Sequence, residues 1–341
     1  MQGPAVYEVL HVAGLSVAAI NWPCTRNSRS IDFDFPDVPE TFEHTTPAFL
    51  EDMKQAGVLS DERISGFMKL SPAARDRVWT DAAVHVLRKH KPNFTLVHLL
   101  NVDAIHHRHG PGTWAGHSAL AYADSCVGEI LQAIEDAGIR ERTTVFIVAD
   151  HGFMAIPKTL QPNVVLRQAG LLSVEGGKAT TARAHVVPEG GIGMLYLTVP
   201  ETAVEDRKKV IELFEGREGI AEVLTPDRFA EFGLPAPEEE RQMADLVLVG
   251  KDGYGFNGTA TGEEFVVKSE STLGTHGFLS NREKMNAVFV ASGAGVRKGE
   301  TLGIIENTAV APTVARLLGV ELPGADGVVL TECLEAIATG R

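Results

Sequence analysis

The sequence predicts an α/β protein: a mostly parallel central sheet with helices on both faces, interrupted by an inserted α+β segment. Three observations carry this. Apolar runs of strand length, Phe94–Leu100 (FTLVHLL), Thr143–Val148 (TTVFIV) and Ala287–Ala291, alternate with helical patterns, as in sheets buried on both faces. Polar and histidine-rich segments follow the first two of these strands at their carboxyl ends, where open α/β sheets place ligand sites. The stretch Thr159–Thr272 breaks the alternation with glycine-rich turns and short strands.

Each element has a local reason. A helix over Ala5–Ala13 stops at Gly14, which suits the left-handed residue that closes a helix. A strand over Leu15–Asn21 ends at Trp22-Pro23, and the polar, proline-dotted residues 24–46 read as loop. Helices follow over Pro47–Ala56, closed by Gly57, and Pro72–Lys89, where Ser71 caps and Pro72 opens the first turn. After the strand Phe94–Leu100 come a histidine-rich loop and a long helix from about Thr113 to Ala137, ending at Gly138. The interrupting stretch holds strands at Met194–Val199 and Asp245–Val249 and a helix at Ala203–Phe214. The chain closes with a helix around Ala309–Leu318, stopped by Gly319. The expected organisation is one α/β domain from residues 1–158 and 273–341, with 159–272 inserted as a cap.

Composition bounds the function. The 341 residues carry 31 basic and 45 acidic side chains, a net charge of −14, with 44% hydrophobic and 22% charged residues. That is enough apolar material for a core, and it excludes a disordered or fibrous chain. The acidic balance offers no basic stripe for a nucleic acid polymer, although a metal ion can supply local positive charge for a small phosphorylated ligand. Cys24, Cys126 and Cys333 are far apart and give neither a disulfide framework nor a cysteine zinc site. No apolar run reaches the roughly 18 residues of a membrane span. The opening MQGPAVYEVLHVAG has no basic n-region, so no export signal is expected in this chain.

Three segments hold the chemistry. In Asn101–Pro111 (NVDAIHHRHGP), Asp103 and His107 stand four apart, on one side of a helical turn, and a carboxylate with an imidazole at that spacing suits zinc or a similar ion. Asp150-His151-Gly152 follows the strand Thr143–Val148; neighbours on a strand point to opposite faces, so the pair converges only where the backbone turns, which Gly152 permits. Gly274-Thr275-His276-Gly277 sets a histidine between glycines before Ala287–Ala291. His106, His109 and His117 read as supporting or exposed; His11, His44, His85, His90, His98 and His185 have no partner in view and read as structural.

In order and spacing, Asp103-x-x-x-His107-x-x-Gly110-Pro111, Asp150-His151-Gly152 and Thr275-His276-Gly277 resemble the alkaline phosphatase superfamily, nearest its nucleotide pyrophosphatase/phosphodiesterase (type I phosphodiesterase) branch. The segments Gly14–Pro23 (GLSVAAINWP), Met285–Val296 (MNAVFVASGAGV) and Ala311–Gly319 (APTVARLLG), then Pro323 and Gly327, are similar to that branch too. The resemblance implies an alkaline phosphatase-like fold and two divalent ions, zinc first, with manganese or iron as alternatives. By position, Asp103, His107 and His276 would hold one ion, and Asp150 and His151 would give two of the four ligands of the other. His106 stands where the family commonly has Gly, and Ala149 where it commonly has Ser.

The family's remaining aspartate and its threonine or serine nucleophile have no counterpart that matches here, so the catalytic residue is left unassigned. Glu40-Thr41-Phe42 and His44-Thr45-Thr46 have the right residue types but follow the wrong strand. The expectation is a family member lacking its N-terminal strand. The function implied is metal-dependent hydrolysis of phosphodiester or pyrophosphate bonds in small phosphorylated substrates such as nucleotides. The alternatives are a truncated or non-catalytic metal-binding module and a phosphosugar mutase of the same superfamily. Relatives in the family are often periplasmic or secreted; substrate, oligomeric state and localisation are not legible.

Overall fold

A computed structural model describes residues 3–335. Helices α1 (Val6–Val12), α2 (Thr41–His44), α3 (Pro47–Gln55), α4 (Asp61–Gly66) and α5 (Pro72–Lys89) alternate early with strands β1 (Val17–Ile20), β2 (Phe33–Phe35) and β3 (Phe94–Val97). Then come α6 (Asn101–His109), α7 (Trp114–Asp136) and β4 (Thr144–Val148). The middle of the chain holds β5 (Met154–Ala155), β6 (Lys158–Leu160), α8 (Pro162–Gln168), β7 (Leu172–Glu175), β8 (Lys178–Ala182), β9 (Ala184–Pro188) and β10 (Ile192–Leu197). It continues with α9 (Ala203–Phe214), β11 (Ile220–Leu224), β12 (Leu246–Gly250), β13 (Tyr254–Phe256), β14 (Val266–Lys268) and β15 (Gly274–Thr275). Strand β16 (Phe289–Gly293) and helix α10 (Val310–Leu317) close the fold. Residues 103–117 and 149–287 form one compact unit, and the remaining described residues the other.

In the second of these, β2-β1-β3 is a parallel sheet, and β16 pairs antiparallel with β4. All four residues of β1 are fully buried because both faces are covered. Ala18 and Ile20 join a cluster with Phe49, Met53 and Trp79, while Val17 and Ala19 face Leu10 and Ile31 in another. Alternation with period two and no polar member is what a central strand requires. Strand β2 lies inside the segment expected as loop. Pairing with β1 makes it a strand, helped by Asp32 Oδ2, which accepts the Val17 N–H at 2.8 Å.

The helix stops are where local chemistry puts them: Gly14, Gly57, Gly138 and Gly319 all have positive φ. Ser71 Oγ accepts the Ala74 N–H at the start of α5. β3 is shorter than expected because buried Asp76 takes over its end, accepting the N–H groups of Leu100 (2.8 Å) and Asn101 (3.1 Å) where α6 begins. Residues 101–109, expected as loop, are therefore helical.

Some histidines that looked partnerless in the sequence have partners brought by tertiary structure. His44 meets Asn27, His98 Nδ1 meets the Asn21 carbonyl, and His85 and His90 both meet Asp52. Burial alone would raise the Asp52 carboxyl, but hydrogen bonds from Lys89, His90 and His85 outweigh it and hold the group below the usual range.

The unit of residues 103–117 and 149–287 is built on the antiparallel sheet β11-β12-β10-β9. Strand β12 is buried throughout, with Leu246 and Leu248 facing Leu195 and Phe214, and Val247 and Val249 facing Leu224 and Phe229. Beside it β6 pairs parallel with β13 and antiparallel with β14, and β5 pairs antiparallel with β15.

Asp34, on β2, is 3% exposed, and its Oδ1 accepts from Thr25 Oγ1 at 2.9 Å, with no cation beside it among the described residues. Burial pushes its carboxyl up to about 7, against the lowering effect of that hydrogen bond. A carboxyl raised above its ordinary 3.8 favours folding fully below that value, and the contribution is lost as pH rises through about 7. Asp34→Asn should therefore gain stability relative to wild type between pH 4 and 8, by up to about 4 kcal/mol at the upper end, read from paired denaturant titrations across that range. Parallel curves for the two proteins would contradict this.

Candidate metal centre

Three pieces of backbone converge on one carboxylate oxygen. On α6, Asp103 and His107 are one helical turn apart, and His107 Nε2 lies 3.4 Å from Asp103 Oδ1. The turn after β4 brings His151 Nε2 to 4.0 Å from the same oxygen, and the residue after β15 brings His276 Nε2 to 3.8 Å. Ligand atoms of Asp103, His151 and His276 all lie within 4.8 Å of one another. The rings of His151 and His276 stack at 3.6 Å. Asp150 stands apart: its carboxylate is 72% exposed, and it reaches His151, at 3.4 Å from Nε2.

Backbone carbonyls set the proton positions. His107 Nδ1–H donates to the Gly274 carbonyl and His151 Nδ1–H to the Gly152 carbonyl, each at 3.0 Å. A carbonyl only accepts, so Nδ1 carries the proton, and in the neutral rings Nε2 is left with its lone pair. Burial, followed by the neighbouring His151, lowers the pKa of His276 and favours its neutral form. Asp103 Oδ1, buried and without a hydrogen-bond partner, thus faces the acceptor nitrogens of His107 and His151 with no proton between them. An orphaned buried carboxylate oxygen is costly unless a cation meets it. Two ligands on a tetrahedral zinc at about 2.05 Å are about 3.3 Å apart, close to the observed separations. The donor set and its spacing fit a divalent ion.

The short β5–β15 pair does the positioning. Its register sets Gly274 opposite Ala155 and Thr275 opposite Met154, so His276 arrives beside Phe153. The Phe153 ring touches His106, His107, His151 and His276, with centroids 4.9–5.6 Å away. The sequence reading missed it, although its place directly after Asp150-His151-Gly152 was the available signal. Also missed was a cavity of about 360 Å³ beside His107 and His276, walled by Glu189, Ile192, Phe232 and Phe278. Its walls come from segments 40 to 90 residues apart, so no local pattern announces it.

The threonines of the two decoy motifs are engaged elsewhere. Thr41 Oγ1 donates to the Pro36 carbonyl and Thr45 Oγ1 to the Thr41 carbonyl, while Thr46 Oγ1 accepts the Asp34 N–H.

Gly152 acts by close approach rather than by unusual φ. Its N–H donates to the Met285 carbonyl at 2.9 Å, and a Cβ there would sit 2.0 Å from the Lys284 carbonyl oxygen. The obstacle is backbone and cannot rotate away. Gly152→Ala should lower stability by at least about 2 kcal/mol and displace His151, read by thermal denaturation together with Zn²⁺ titration. Wild-type values in both would refute the packing argument.

Comparison with known proteins identifies the family. The family model described as type I phosphodiesterase/nucleotide pyrophosphatase matches residues 1–279. A Caenorhabditis elegans ectonucleotide pyrophosphatase/phosphodiesterase is 24% identical over 205 residues, which is 59% of this chain and 23% of that relative's length. The structure of human ectonucleotide pyrophosphatase/phosphodiesterase 5 is similar with a TM-score of 0.66 at 15% identity, covering 97% of this chain and 74% of that one. An inactive form of its murine counterpart, in complex with AMP, gives 0.64 at 15% identity, covering 96% and 74%. These likenesses show an alkaline phosphatase-like fold, and the family match carries the assignment. The chain belongs to the type I phosphodiesterase/nucleotide pyrophosphatase family, a hydrolase branch of the alkaline phosphatase superfamily.

Proposed function

We propose that this chain takes divalent metal ions on Asp103, His107, His151, His276 and Asp150 and that its function is hydrolysis of phosphodiester or pyrophosphate bonds in small phosphorylated substrates such as nucleotides, by a hydroxyl nucleophile that none of its motifs supplies. The observation that carries the reading is Asp103 Oδ1, buried and unpaired beneath three imidazole nitrogens. Zinc fits the nitrogen-rich set first, with manganese or iron as alternatives. The division proposed is Asp103, His107 and His276 for one ion and Asp150 and His151 for the second. The murine relative's complex with AMP supports a nucleotide as the first substrate to try.

Bound divalent ions in such a centre neutralise phosphate charge and activate an oxygen nucleophile. The chain's own residues prepare for that. The Gly274 and Gly152 carbonyls hold the Nδ1 protons, so His107 and His151 present Nε2 without rearrangement. Phe153 packs edge-on against His107 and His276 and limits their rotation. Exposed Asp150 accepts the His151 N–H at 3.1 Å and would have to turn inward to reach a second cation. The segment 159–272, proposed as a cap, supplies Glu189, Ile192, Phe232 and Leu234 to the adjoining cavity and would choose among substrates.

The test is chelation followed by titration with Zn²⁺ and Mn²⁺, with assay of bis(p-nitrophenyl) phosphate, a dinucleoside pyrophosphate and a phosphosugar. We expect the melting temperature to rise on metal addition and hydrolysis of the first two to depend on it. Asp103→Ala or His276→Ala should abolish the thermal shift and reduce hydrolysis at least 100-fold. Metal binding without turnover would favour a binding module, phosphosugar isomerisation a mutase, and an unchanged shift in Asp103→Ala would refute the centre.

A further inference from the structure

A second group of metal-competent side chains lies in the unit that carries the parallel sheet. Asp52 on α3, His85 on α5 and His90 just after α5 bring one ligand atom each to within 4.8 Å of the others. Asp52 Oδ2 is 2.8 Å from His85 Nε2 and 2.7 Å from His90 Nε2. The three side chains are mostly withdrawn from solvent, at 14%, 13% and 26% exposure. Asp52 Oδ1 is held by the Lys89 ammonium, and the His90 ring leans on Phe33, centroids 4.4 Å apart.

We propose that Asp52, His85 and His90 form a metal site separate from the family's centre, taking one first-row transition ion such as Zn²⁺ or Ni²⁺ with its remaining positions open to water. Two imidazoles and one carboxylate make a nitrogen-rich borderline donor set. The carboxylate's other oxygen is already fixed by a cationic donor, the supporting contact that metal-bound carboxylates commonly have. Neighbouring ligands at about 2.1 Å from an ion lie about 3.0–3.3 Å apart, so the two Asp52–histidine pairs need open by only a few tenths of an ångström. Metal binding requires the protons between each Nε2 and Oδ2 to pass to solvent or to Nδ1, so that the lone pair on Nε2 becomes the donor.

Lys89 is the built-in opponent. Its ammonium repels an incoming cation, yet the side chain is 54% exposed and long enough to swing away. Removing it separates a metal site from a purely structural ion-pair cluster: the first predicts tighter metal binding, the second only a loss of stability.

The experiment uses the full chain with the family centre disabled by Asp103→Ala and His276→Ala, stripped with chelator and then titrated with Zn²⁺, Ni²⁺ and Co²⁺. We expect one equivalent retained through gel filtration, with d–d absorption for Co²⁺, and loss of both on adding His85→Ala and His90→Ala. Lys89→Ala should tighten binding several-fold. The proposal is overturned if the protein with the disabled centre melts cooperatively but retains no metal, or if Lys89→Ala leaves Zn²⁺ affinity unchanged or weaker. Because this background lacks the family centre, failure here leaves the proposed hydrolase reading untouched.

Discussion

Everything at the candidate centre depends on where two protons are held. The Gly274 and Gly152 carbonyls take the Nδ1–H groups of His107 and His151. This leaves a buried carboxylate oxygen facing lone pairs, an arrangement that repels itself until positive charge arrives. The polypeptide bears that repulsion because the backbone around it is tightly locked. Gly277, at φ +72°, leaves no room for a Cβ beside the Glu189 carbonyl, and the Gly191 N–H donates to the His276 carbonyl at 2.8 Å. Binding machinery here is prepared by main-chain contacts, and the side chains follow.

The two sheets that carry the units solve the same problem by different means. β1 is central in a parallel sheet and covered on both faces by helical clusters. β12 is central in an antiparallel sheet and covered by α9 on one face and the short helical turns of residues 226–232 on the other. In each, one strand without a polar residue anchors the layers. The polar work is left to the strand ends: Asp76 meets the end of β3, and Asn163 meets β9 through the backbone of Val186. A further ion pair, in which buried Asp206 is gripped by Arg183 on two oxygens and by Thr202, ties α9 to the residue between β8 and β9.

What was legible in the sequence follows the range of the interactions. Helix stops at Gly14, Gly57, Gly138 and Gly319 and the cap at Ser71 depend on neighbours a few residues away, and local rules read them. The residues of the centre were legible as types at suggestive spacings, together with the resemblance to a family. Their common focus on Asp103 Oδ1 was not, because it depends on the β5–β15 register. β2 was hidden because Phe33 and Phe35 are two apolar residues in a polar stretch, and only β1 makes them a strand. α6 was hidden by its composition: a run of polar and histidine residues reads as loop until Asp76 gives its first amides a partner. The pairing of His85 and His90 with Asp52 spans 33 and 38 residues, beyond any periodic pattern.

One of the contacts at the centre also sets an order of events in folding. His107 reaches Gly274 across 167 residues of chain. That closure is entropically expensive until the intervening strands have collapsed and brought the two ends near. The imidazole cluster is consequently among the last things this unit can assemble, and no fragment lacking either end contains it. A cation seated there would read out completed topology, and its binding energy would add to the cooperative stability of the whole unit instead of propping up one loop.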